Sequence, residues 1–133
     1  MAEKNQRLEV VTPERKVYSE DVRFVVVPGV VGELGILPDH APLMSGLKIG
    51  VMKVQQEGKT FKMAVSGGFV EVRSSRVTVL ADSAERAEQI DRSRAEAAKA
   101  RAEQRLATKS ADVDVLRAEI ALQRALNRLK ALQ

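Results

Sequence analysis

IDRSRAEAAKARAEQRL at residues 90–106 and VLRAEIALQRALNRLKAL at 115–132 decide the fold, because neither stretch holds a glycine or a proline. All eight glycines and all four prolines lie at or before Gly68, and 13 residues from Ala84 onward are alanine. Alanine favours helix and the two breakers interrupt it, so the tail reads as helical and the part before it as turn-rich β structure. A first helix is expected to run to about Leu106, with Asp82 or Ser83 as its cap and Glu85 favourable near its N-terminus. Residues 108–112 make a polar break, where Ser110 or Asp112 caps the second helix. Val115, Ala118, Leu122, Ala125, Leu129 and Leu132 then recur at three- and four-residue spacing, a narrow seam suited to a neighbouring helix. Its mate is the row Ala95, Ala98, Ala102 and Leu106. Alanine contacts bury little area, so the pairing is marginal and able to open. The organisation is a β domain over residues 1–84 and an antiparallel two-helix hairpin over 85–133.

The β domain reads as many short strands. Leu8-Glu9-Val10 alternates apolar and polar residues, as do the last residues of Phe69 to Arg73. Val22 to Val27 is nearly continuous and ends at Pro28-Gly29, a turn signal. Lys48 to Gln55 and Lys59 to Val65 flank Gln56-Glu57-Gly58 as a hairpin. Ser74-Ser75 forms a two-residue loop before Val77-Thr78-Val79-Leu80. Strands this short and closely spaced suggest a sandwich or a barrel. About eighty residues is small for independent stability, so partner surfaces are expected to assist.

Composition removes several function classes. The 133 residues are 44% hydrophobic and 30% charged, the balance of a folded protein. No run approaches the roughly 18 apolar residues of a membrane span, so no direct membrane insertion is expected. The opening MAEKNQRLEV lacks the apolar stretch of a secretory signal. With no cysteine there is no thiolate chemistry, which fits a cytoplasmic setting, and one histidine rules out a multi-histidine metal site. No metal site and no catalytic residue is expected. Gly29 to Gly35 lacks the Gly-Lys-Ser/Thr ending of a phosphate loop and reads as a turn between strands. His40, bounded by Pro38 and Pro42, has no Ser or Cys chemistry beside it and reads as structural. Gly67-Gly68 permits a tight turn or bulge.

The net charge of +4 is modest, with +3 of it in residues 85–133. The lone Tyr, the three Phe and the absence of Trp leave the basic helices without aromatic partners for stacking bases, so no nucleic-acid partner is expected. Arg94 and Arg101 are seven apart and share nearly one helix face. Arg124 and Arg128, four apart, share another. If the helices fold back about Lys109, these four converge, and converging guanidinium groups repel unless an anion sits among them. A triphosphate meets that need through bidentate contacts. The competing reading is ordinary solvation, or pairing with acids such as Glu96 and Glu103.

Three separated motifs carry a resemblance. Gly32 to Leu43 (GELGILPDHAPL), Ser66 to Val72 (SGGFVEV) and Val77 to Asp82 (VTVLAD) closely resemble the epsilon subunits of bacterial F-type ATP synthases, and the likeness spans the chain. The resemblance implies a ten-stranded β-sandwich followed by the helical hairpin. It implies a non-catalytic place in the rotor's central stalk, bound to the gamma subunit and resting on the c-ring, peripheral to the cytoplasmic face of the bacterial cell membrane. Ile90-Asp91-x-x-Arg94-Ala95 matches the family's I/L-D-x-x-R-A motif for ATP, and Glu85, Arg101, Arg124 and Arg128 match further ATP-binding positions. The Gly32-Glu33-Leu34-Gly35 loop matches the region pressed against the c-ring, with Glu33 as the polar contact.

With ligands drawn from both helices, ATP serves as a regulatory ligand and no catalytic cofactor is implied. ATP is then expected to favour the compact hairpin by its differential affinity for that state. When ATP falls, two helices of about twenty residues each are expected to reach some 60 Å and, as the resemblance implies, to engage the alpha/beta catalytic hexamer and restrain hydrolysis. The alternatives are a purely structural stalk subunit with no nucleotide role and a free-standing ATP or polyanion sensor.

Overall fold

The computed structural model describes residues 4–108 and 114–133. Eight strands precede two helices: β1 Gln6–Val11, β2 Lys16–Val22, β3 Phe24–Gly29, β4 Gly32–Ile36, β5 Leu43–Gln56, β6 Lys59–Arg73, β7 Arg76–Ala81 and β8 Ala84–Arg86, then α1 Arg92–Ala107 and α2 Val115–Ala131. One hydrogen-bonded path runs β2-β1-β7-β6-β5-β3-β4, with β8 beside β6. All pairings are antiparallel except β1 with β7.

The path folds back on itself around a core. Leu8, Val10 and Val22 from one end meet Val25, Ile36, Met52 and Val54 from the other, all fully buried. Two polar ties close the layers. The Tyr18 hydroxyl on β2 donates to Gln56 Oε1 on β5 at 3.0 Å, and Gln6 Nε2 on β1 donates to the Ile36 carbonyl on β4 at 2.8 Å. The result is a sandwich, the first of the two architectures expected from short strands.

Eight strands stand among the described residues, against the ten expected. Part of the reason lies at Gly67-Gly68. Both have positive φ, 71° and 111°, and the chain turns there, but pairing to β5 keeps one register across it, from Ile49 opposite Ser66 to Leu47 opposite Gly68. Segments that read as two strands are therefore one β6 of 15 residues, beside a β5 of 14. The tight hairpins do follow the sequence. Glu57-Gly58 and Ser74-Ser75 both have two positive φ values, the geometry of a two-residue type I′ turn. Val30-Val31 joins β3 to β4 within the glycine cluster. His40 Nδ1 lies 2.7 Å from the Ala41 carbonyl oxygen, a local loop contact.

The first helix starts later than expected. Neither Asp82 nor Ser83 caps it; the chain continues along β6 as β8, with Ala84 opposite Val65 and Arg86 opposite Met63, in the register β7 already set. A single helical turn at Ala87–Gln89 follows, and Asp91 is the cap, its carboxylate accepting the Arg94 backbone N–H at 3.0 Å. Alanine content pointed to helix at Ala84, but the unpaired edge of β6 offered backbone hydrogen bonds that a helix there would forgo. Ser110 and Asp112 lie outside the described residues; the cap of α2 is Asp114, which accepts from Arg117 N. Along the hairpin seam Ala95, Ala102, Ala118 and Ala125 are buried, while Val115 is exposed.

Tyr18 offers a test of the closed layers, because it is the only tyrosine. Burial first, then the negative charge of Glu20, push its hydroxyl up to about 12 from an ordinary value near 10. Between those values the unfolded chain releases the phenolic proton and the folded chain keeps it, so stability falls as pH climbs through that window. A phenolate absorbance titration of the native protein should show no midpoint near 10; one there would contradict the packing of β2.

Candidate nucleotide cleft between the hairpin and the sandwich

Alternation along β6 places Lys62, Ala64 and Ser66 on the face away from the sandwich core, and α2 lies across them. A second apolar cluster forms there, from Ala64, Ile90, Ala95 and Ala131 with Val51, Leu129 and Leu132 packed against it. Polar ties flank it. Lys62 Nζ donates to the Gln133 carbonyl at 2.7 Å, and Arg124 Nε donates to Ser66 Oγ at 2.9 Å. Asn127 Nδ2 donates to the Gly50 carbonyl at 2.8 Å and, at 3.3 Å, to that of Val65. Arg128 Nε donates to Glu85 Oε1 at 2.5 Å.

A cleft of about 260 Å³ opens between β8, α1 and α2. Seven of the eight residues expected to bind ATP line it: Glu85, Ile90, Asp91, Arg94, Ala95, Arg101 and Arg128. Glu85 reaches it from β8 rather than from a helix N-terminus, since it stands opposite Ala64 on the hairpin side of the sheet. Arg94 and Arg101 come from one face of α1, and Arg128 from α2. Arg124, the eighth, lines the adjoining crevice beside Ser66, Glu85 and Arg128. It does not line the main cleft, because Ser66 holds its Nε against the sheet.

Charge in the cleft is unbalanced. Glu85 is taken by Arg128, and the Asp91 carboxylate is taken by the α1 cap. Among the described residues the Arg94 and Arg101 guanidinium groups have no ion-pair partner, and both side chains are exposed. Two unpaired guanidinium forks facing one concavity suit a multiply charged anion. The volume is at the small end for a ligand pocket.

Residues 5–87 match the family model for the β-sandwich domain of the ATP synthase delta/epsilon chain, and residues 88–133 match the model for its long α-helix domain. The chain belongs to the ATP synthase delta/epsilon chain family. Within that family it is similar to the ATP synthase epsilon chain of Desulforamulus reducens, 64% identical over 130 residues, 98% of each chain. It is 68% identical over 110 residues to the ATP synthase epsilon chain of Pelotomaculum thermopropionicum, covering 83% of this chain and 82% of the relative. Among solved structures, a chain in the mitochondrial ATP synthase OSCP/F1/c-ring assembly of Euglena gracilis superposes with a TM-score of 0.83 at 25% identity, over all of this chain and 85% of that one. A chain in the central stalk/c-ring structure of Tetrahymena thermophila, 12% identical with a TM-score of 0.63, shares the fold.

As in the family's domain description, the β-sandwich and the helices are distinct in this chain, and the cleft lies where they meet. Gln89 and Ala98 also line it, and Ser66 and Asn127 fix α2 from outside it. Ala98 stands in the alanine row expected from periodicity; nothing local marks Ser66 or Asn127, whose partners are 58 and up to 77 residues away. The other expected contact, Glu33, is exposed on the edge strand β4, remote in the pairing order from the cleft. Elsewhere on the sandwich, Val30, Val31, Met44, Phe69 and Leu80 are large exposed apolar side chains, and Phe69 pairs directly with Leu80 across β6 and β7. Among the described residues no helix is long and apolar enough to cross a membrane.

Proposed function

We propose that this chain is the epsilon subunit of a bacterial F-type ATP synthase, a non-catalytic part of its rotor stalk, and that ATP held in the cleft favours the docked hairpin. The observation that carries the nucleotide reading is that residues 37 positions apart, Asp91 and Arg128, line one cleft only because α1 and α2 lie side by side on the sheet. A ligand touching both helices stabilises the docked form by mass action and leaves the open form unaffected. When ATP is scarce the alanine seam separates. Helices of 16 and 17 residues then span about 50 Å end to end, at roughly 1.5 Å per residue. That length, with exposed Leu116 and Leu126 and its basic residues, suits engagement of the alpha/beta hexamer as a brake on hydrolysis.

The sandwich supplies the stalk contacts. The exposed face of Phe69, Leu80 and Met44 suits a gamma subunit, and Glu33 suits the polar loops of a c-ring; the Euglena relative was solved within an assembly that includes a c-ring. On this reading the chain sits peripherally, at the cytoplasmic face of the cell membrane. Calorimetric titration of the isolated chain with ATP should give saturable binding of one equivalent, accompanied by a shortened distance between hairpin and sandwich. No heat at millimolar ATP, with that distance unchanged, would sink the nucleotide reading. Removing the residues after Ala87 then separates brake from brace: hydrolysis by the assembled enzyme should rise, whereas a brace would cost only assembly.

A further inference from the structure

The docked hairpin is held by a contact that no ligand is needed to make. Asn127 sits on α2 at the face turned to the sheet, and its side-chain amide nitrogen donates to two backbone carbonyls on neighbouring strands, Gly50 of β5 and Val65 of β6. Gly50 and Val65 are register partners in the β5–β6 ladder, so one amide group straddles the two longest strands of the sandwich. Asn127 lines the adjoining crevice but not the main cleft. One helical turn before it, Arg124 reaches Ser66, and beyond the end of α2 Lys62 reaches the Gln133 carbonyl. Asn127 is one residue from Arg128, whose guanidinium does line the cleft. Its hydrogen bonds therefore fix the height and rotation of α2 at the point where α2 contributes to that cleft.

We propose that Asn127 is a positioning residue: it holds the hairpin on the sandwich without ligand, and so sets how much nucleotide is needed to keep it there. The first half stands on the geometry alone; the second rests on the nucleotide reading above. The apparent dissociation constant of a ligand that binds only the docked form is its intrinsic constant divided by the docked fraction. Loss of Asn127's bonds lowers that fraction without touching any group that faces the ligand.

The test uses the full chain, which has no native cysteine, with dyes at Lys59→Cys and Lys130→Cys to read docking by energy transfer. Asn127→Leu keeps the side-chain size and raises helix propensity, so α2 itself should persist. Without ATP, its docking constant should fall about tenfold, the scale of lost neutral hydrogen bonds. Its apparent ATP dissociation constant should rise by the inverse ratio of the two docked fractions, and saturating ATP should return docking to the wild-type level. Arg94→Ala should do the opposite, leaving ligand-free docking intact and removing the ATP response. The proposal is overturned if Asn127→Leu docks like wild type without ATP, if its affinity falls while its docked fraction does not, or if saturating ATP fails to restore docking. Should wild type bind no ATP, the nucleotide reading falls, and the ligand-free docked fractions still decide the role of Asn127.

Discussion

Replacing Arg94 and Arg101 together by alanine should weaken ATP binding by at least a hundredfold. Each guanidinium is a planar, permanently charged donor set, and a hydrogen bond to a charged group contributes roughly 1.5–3 kcal/mol. Two such losses multiply, because the side chains stand seven positions apart on one face of α1 and each addresses its own part of the anion. The same change should leave the fold almost untouched. Both side chains are exposed and neither has an ion-pair partner among the described residues, so thermal unfolding without ligand should shift by no more than about 0.5 kcal/mol. Calorimetry with ATP, beside a melting curve without it, reads both numbers. Retained affinity in the double variant would mean that the cleft is not the anion site. Arg128→Ala is the less clean change, since it also strands Glu85 beside the crevice.

Gly68→Val should be the most damaging single substitution in the sandwich. A Cβ at position 68 would stand 2.0 Å from the Leu80 carbonyl oxygen and 2.8 Å from the Ala81 Cα, both backbone atoms of β7 that cannot swing aside. Its φ of 111° adds strain for any side chain, and more for a β-branched one. Overpacking against backbone together with a disallowed dihedral costs about 4 kcal/mol, enough to lower the melting temperature by roughly 15 °C in a chain of this size. Gly58→Ala is the matched control. It too has positive φ, 77°, but nothing lies within 4 Å of its added Cβ, so only the dihedral cost should appear. Equal melting shifts for the two variants would show that the close approach of β6 to β7 is not what position 68 protects.

The contrast between those glycines also marks what a linear reading reaches. Turns of two residues are local, so Glu57-Gly58 and Ser74-Ser75 are recognisable from their flanking strands. Gly67-Gly68 looks the same in sequence, yet its strand continues, because whether β5 keeps its register past that point depends on residues twenty positions earlier. The start of α1 failed in the same way. Residues 84–86 have helical composition, and only the free edge of β6 turns them into β8. At the cleft, helical periodicity and a short motif were enough to group Arg94, Arg101 and Asp91 with Arg128, since α1 and α2 are regular and antiparallel. They did not show that Arg124 is drawn away by Ser66, or that Asn127 anchors α2, because a sheet carbonyl carries no signature in the residue that exposes it.

The chain's single tyrosine and lack of tryptophan give it a built-in optical division of labour. Near-ultraviolet emission comes from Tyr18 on β2, whose hydroxyl donates to Gln56 of β5, with Phe61 at 5.4 Å and the Arg86 guanidinium over its ring. Melting of the sandwich changes that signal, while excursions of the hairpin, which carries no fluorophore, leave it unchanged. A dye on α2 and the native phenol can thus be followed in one cuvette as separate channels, one for unfolding and one for tail movement.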